Sequence, residues 1–159
     1  MGPKVPVRLA SSLLSLTLLL LFAPPPAHAS NPDSEQFDAA TLTSMETKAA
    51  TAEPRDQCFL YTEILHGWTE LAGRDMLAGD DSGFALAVQH ADADAARLKS
   101  AISHDSKRLK NAELLLEHSV HRLSDMLHAS PMDQHDRMQA VLRHVSSVHD
   151  DLLAAVFAH

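Results

Sequence analysis

The sequence predicts an all-α protein, an antiparallel helical bundle of three long helices or four shorter ones, with an elongated helical hairpin as the alternative arrangement. Two observations carry this. Apolar residues recur at three- and four-residue steps through most of the chain beyond residue 56, the period of a helix with one buried face. The breaks between these stretches hold residues that end and start helices: Gly79-Asp80-Asp81-Ser82-Gly83 at one, Ser130-Pro131 at another.

The first segment is a targeting sequence and takes no part in the fold. Lys4 and Arg8 precede an apolar run from Ser11 to Phe22, Pro24-Pro25-Pro26 breaks any helix there, and Ala27-His28-Ala29 offers a small-x-small cleavage site. The run falls short of the ~20 apolar residues that a bilayer span needs. Residues 1–29 are therefore expected to be a cleaved signal peptide. The remainder is expected in the periplasm, or secreted, with no membrane insertion after the leader is removed. The single cysteine, Cys58, is far from the cleavage site and is not placed to be the acylated first residue of a lipoprotein.

Residues 30–55 are polar, with Phe37, Leu42 and Met45 as the larger apolar anchors, and predict a weak helix within about 35–50 or disorder. Residues 56–159 predict a single helical-bundle domain. Its first helix carries the stripe Cys58, Tyr61, Leu65, Trp68, Ala72 and Met76, with Ile64 and Leu71 on the shoulder and Asp56 as N-cap. Gly67 and Gly73 inside it cost helix propensity and point to the close approach of a neighbour.

A second periodic stretch runs from Phe84 to Leu127, interrupted only by the polar Asp105. Unbroken from Phe84 to Ala129, it would make a helix of roughly 69 Å at 1.5 Å per residue. Broken at Ser103-His104-Asp105-Ser106, it folds into a compact four-helix arrangement, which helix-length statistics favour. In the last helix, Ser130 and Asp133 form a capping box around Pro131, and Met138, Leu142, Val145, His149, Leu152 and Val156 make the stripe.

Composition bounds the function. Lys4 and Arg8 leave with the leader, so the mature chain has 11 cations against 21 acids, a net −10 with neutral histidines. That balance argues against nucleic acid or an anionic membrane as partner and leaves cationic ligands and divalent metals open. One cysteine excludes an internal disulfide, a Cys-x-x-Cys redox pair and covalent haem attachment. No nucleophile elbow, phosphate loop or dinucleotide fingerprint is present, and the paired acids Asp80-Asp81 and Asp150-Asp151 diverge because they are adjacent in sequence. An enzyme is not expected.

Histidine is abundant, with 11 in the chain, one of them (His28) in the leader. His118, His121, Asp125 and His128 share one outer helix face, and the reversal near Ser130 brings His144 to the level of His118. The candidate metal site is therefore His118, His121, Asp125 and His144, whose ligand types suit zinc, nickel or copper(II). His149 lies on an apolar stripe; with Met76 or Met138 it offers axial ligands for a noncovalently bound haem. The plan of leader, helices and acidic surface is similar to small periplasmic helical metal sensors and to envelope-stress chaperones. The Leu-Thr-x-x-Gln repeats of the chaperones are absent, Leu42-Thr43 being followed by Ser44-Met45-Glu46, so the likeness is one of architecture. The expected function is an exported, non-catalytic helical binding or envelope-accessory protein acting through a protein partner or self-association, with no cofactor; the alternatives are divalent-metal binding and haem binding.

Overall fold

The computed structural model describes residue 2 and residues 37–103 and 105–158. Apart from Gly2, the expected leader lies outside the described residues, as do His104 and His159. Five helices follow in order: α1 (Ala39–Ala50), α2 (Pro54–Ala78), α3 (Asp81–Ala101), α4 (Leu109–Ala129) and α5 (Met132–Phe157). The architecture is an all-α, multi-helix bundle, and among the described residues there is no strand and no helix long and apolar enough to cross a membrane. Among the described residues the helices number five, not three or four.

The stretch from Phe84 to Leu127 is not one helix. Residues 102–108 leave it as a linker, and the polar Asp105 is exposed there. Two bonds pin this linker to the start of α2: Arg55 Nε donates to the Asp105 carbonyl at 2.8 Å, and the Lys107 amide donates to the Arg55 carbonyl at 2.7 Å. Lys107 Nζ also reaches Asp56 at 2.9 Å. Arg108 then enters α4 with a left-handed φ of 61°, its guanidinium 3.4 Å above the Phe59 ring. An elongated hairpin around a continuous central helix is thereby excluded.

Helices α2, α3, α5 and α4 close a ring in which each packs on two neighbours, and α1 lies outside it against α2. Side-chain pairs give the directions. His66 to Ser119 and Arg122 to Glu70 set α2 and α4 parallel, while His144 to Asp92 and Lys99 to Asp151 set α3 and α5 parallel. The α3–α4 linker consequently crosses the ring diagonally. The other two connections are tight reversals, one at the left-handed Gly79 and one at Ser130-Pro131.

Local chemistry sets the helix ends, with two departures from the sequence reading. Pro54 opens α2 at its first turn, where a missing amide costs little, so Asp56 is a first-turn acid and not the N-cap. The Ser130 hydroxyl donates to the Leu127 carbonyl at 2.9 Å, closing α4, and α5 begins without a side-chain cap. Asp80 caps α3 by accepting the Gly83 amide at 2.9 Å.

The core runs the length of the ring. Ile64, Leu65, Trp68, Val88, Leu98, Leu116, Leu123, Val145 and Leu152 are essentially fully buried, each contributing roughly 1.5–3 kcal/mol on burial. α1 is tied on by Leu42, which fills the space where a Cβ on Gly67 would stand 2.5 Å from its methyl. Gly73 admits the Arg122 guanidinium of α4 in the same way.

Candidate functional site

An open cleft of about 580 Å³ lies where the start of α1, the second half of α2 and the start of α3 meet. Helical periodicity makes its floor: Trp68 and Leu71 face it from α2 and Leu86 from α3, while Phe37 comes from the residues leading into α1. Its rim is ionic. Asp38, Asp75 and Asp80 oppose a single guanidinium, Arg74, which donates to the Phe37 carbonyl.

The three carboxylates differ. Asp38 and Asp80 each accept backbone amides at a helix start, and those bonds hold both below the usual carboxylate range. Asp75 has no such partner. Partial desolvation and the neighbouring Asp80 raise its pKa, against a smaller lowering by Arg74. Asp75 and Asp80 each bring an Oδ2 to 2.7 Å from the point where a Cβ on residue 83 would stand, so both carboxylates close on Gly83 and a side chain there would collide with them.

Beyond Trp68 the cleft floor joins a buried polar layer under α1. Glu46 Oε1 accepts Trp68 Nε1–H at 2.9 Å and lies 2.8 Å from His90 Nδ1, which donates in the tautomer protonated there. The His90 ring stacks on Trp68 with centroids 4.2 Å apart. Arg97 reaches Glu46 at 3.5 Å and Asp94 Oδ1 at 2.5 Å. Asp94 is fully buried and its Oδ2 has no partner among the described residues. Burial raises its pKa to about 6 despite the bond from Arg97. The layer fixes the Trp68 ring and hence one wall of the cleft.

Four of the eight described histidines staple helices together. His90 joins α3 to α1, His144 lies 2.7 Å from Asp92 of α3, and His149 Nε2 lies 3.2 Å from Glu113 of α4. His66 Nδ1 lies 3.2 Å from the buried Ser119 hydroxyl, and desolvation lowers its pKa, with Glu70 opposing and His118 adding to the shift.

Of the residues expected to bind metal, His118, His121 and Asp125 are exposed on α4, His121 being 4.0 Å from its own helix's Glu117, whereas His144 turns to α3. Among the described residues no group of three or more His, Cys, Asp and Glu is placed to hold a metal ion. Of the haem candidates, Met138 is buried in the core about 16 Å along α5 from His149, at 1.5 Å per residue.

Sequence reasoning missed both the Asp75–Asp80 pair and the Glu46–Asp94 layer. A signal for the layer existed, since Asp94 falls three residues after Ala91 and four before Leu98, inside an apolar stripe. The cleft depends on how α1 sits on α2, which periodicity does not specify. Comparison of this chain with protein-family models, with curated proteins and with solved structures finds no match.

Proposed function

We propose that this chain is an exported helical binding protein, periplasmic or secreted, that acts without catalysis and takes its ligand in the cleft between α1, α2 and α3. The cleft is the observation that supports this reading. Its volume of about 580 Å³ falls in the range of small-molecule sites, and it pairs an apolar floor with a few ionic groups on the rim. The leader supports export. The engagement of His66, His90, His144 and His149 in contacts between helices gives those side chains a structural task and turns attention from them to the cleft.

Thermal melts of the purified protein against a panel of small organic anions, cations and neutral compounds test the reading. A ligand that binds the folded state raises the melting temperature, the stabilisation growing with the logarithm of its excess over Kd. The rise should disappear in Ala78→Trp, because Ala78 is exposed at the end of α2 and lines the cleft, so the indole fills the hollow at small cost to the core. Stabilisation that survives the plug, or none from any class, would count against the cleft.

A further inference from the structure

We infer that α1 is a proton-dependent strap: it leaves an otherwise intact ring of α2 to α5, and lets go more readily as pH rises from 5 to 7, because Asp94 then carries a second negative charge beside Glu46. The inference stands on the packing of α1 and does not require the cleft to hold a ligand.

Local features make α1 separable. It lies outside the ring against α2, and its buried side chains are Leu42 and Ala49. At 12 residues it is too short to persist as a helix without that packing. The connection that follows ends at Glu53, extended at φ −59° and ψ 138°, before Pro54, which offers α1 no amide to continue its hydrogen bonding. α1 can therefore unwind without disturbing α2.

The buried layer supplies the proton dependence. Glu46 carries polar contacts from α1 to Trp68 of α2 and to His90 and Arg97 of α3. Arg97 Nη1 stands 2.5 Å from Asp94 Oδ1 and 3.5 Å from Glu46 Oε2, so one guanidinium serves two carboxylates. The second oxygen of Asp94 is buried without a partner among the described residues. An ionised Asp94 thus bears both desolvation and repulsion from Glu46, and a protonated one bears neither. The groups facing this array are Glu46 from α1, Tyr61 from α2 beside Arg97, and His90 and Arg97 from α3, while α5 engages Asp92 and Lys99 instead. Release of α1 removes Glu46 and admits water, so the docked state holds a proton that the released state gives up. A carboxyl raised from 3.8 to about 6 stabilises docking below its ordinary value and ceases to do so as pH climbs through 6, which lowers the docking constant about tenfold between pH 5 and 7. Phe37, Asp38 and Ala39, which line the cleft, would move with the strap.

Hydrogen–deuterium exchange of the purified protein, read by mass spectrometry at pH 5 and pH 7 and corrected for intrinsic exchange rates, tests the strap. Peptides from α1 should be less protected than those from α4 and α5. Dilute urea should speed exchange in α4 and α5 and leave α1 unchanged, as a local opening requires. From pH 5 to pH 7 the protection of α1 should fall about tenfold in the parent and less than about twofold in Asp94→Asn, which keeps the shape and does not titrate. Glu46→Gln removes the charge facing Asp94 while leaving an acceptor for the Trp68 N–H, and should shrink the same response. Protection of α4 and α5 in each sample reports that the variant is folded. Equal protection and equal urea response in α1, α4 and α5 would overturn the strap. So would α1 protection that does not fall with pH, or a fall of the same size in Asp94→Asn.

Discussion

Replacing Asp94 by asparagine should make the protein's stability less dependent on pH, and the size of the change follows from the buried layer. Asp94 is fully buried, one oxygen bonded to Arg97 and the other unpartnered. Around it stand Glu46 from α1, and His90 and Arg97 from its own helix, with Tyr61 of α2 beside Arg97. Desolvation raises its pKa from 3.8 to about 6. A carboxyl whose folded pKa is raised holds its proton more tightly in the folded state. Its contribution is therefore fully present below the unfolded value and is lost as pH climbs through the folded one. At ~1.4 kcal/mol per pKa unit the whole window amounts to about 3 kcal/mol, of which about 2 kcal/mol falls between pH 4.5 and 7.5. Asparagine keeps the shape and does not titrate. Urea unfolding followed by circular dichroism, at pH 4.5, 6 and 7.5, should show the parent losing about 2 kcal/mol relative to Asp94→Asn as pH rises. A difference between the two proteins that stays flat over that range, or runs the other way, would refute the assignment of a buried, proton-retaining Asp94.

Other consequences can be checked independently. Gly67→Ala places a methyl 2.5 Å from Leu42 and 3.2 Å from the Phe37 ring, so it should destabilise by about 1–3 kcal/mol although alanine is the better helix former; a gain in urea midpoint would contradict the packing of α1. Cys58 is buried and its thiol is pushed up to about 11 by desolvation, so the native protein should resist a thiol reagent at neutral pH and react on unfolding; rapid labelling without denaturant would show otherwise. His66 is lowered by burial, so its neutral form should stabilise the protein above the unfolded histidine pKa and lose that contribution as pH falls through the window below it; an NMR titration placing His66 at or above 6.5 would reverse the sign. We expect calorimetric titration with zinc, nickel and copper to give no stoichiometric site that depends on His118 and His121, because His144 turns to Asp92 of α3; micromolar binding lost in His118→Ala/His121→Ala would favour the metal alternative.

Much of the helical pattern was legible because burial is periodic. Every member of the α2 stripe from Cys58 to Ala72 is buried, and so are Phe84, Val88, Ala91, Ala95 and Leu98 in α3. The phase then drifts. In α4 the buried face includes Ser119 and Met126, with Val120 and Leu127 only half-buried, and in α5 Val141, Val148 and Ala155 face the core ahead of Leu142, His149 and Val156. Each pair is adjacent in sequence, and in Met126–Leu127, Val141–Leu142 and Ala155–Val156 both members are apolar, so hydrophobicity does not choose between them. The choice falls to the roll of the helix against its neighbours, which turns His149 toward Glu113 and His144 toward Asp92. Of the carboxylates of the cleft, Asp80 was visible as a turn residue. Their convergence was not, because Asp75 and Asp80 belong to opposite sides of the α2–α3 reversal and meet only around the missing side chain of Gly83.

The diagonal linker has a consequence for how the molecule assembles. α2 with α3, and α4 with α5, are neighbours in sequence joined by tight reversals, so each hairpin can close over a short loop at small entropic cost. The contacts between hairpins, α2 on α4 and α3 on α5, join residues some fifty positions apart, as the His66–Ser119 and His144–Asp92 pairs show. The chain is thus two local halves that dock along parallel edges, and residues 102–108 set their proximity, with Ile102 packing against the core. A nick in that crossing would turn a unimolecular docking step into a bimolecular one. Fragments 37–102 and 106–158 should then find each other in solution, with a midpoint that depends on their concentration where that of the intact chain does not.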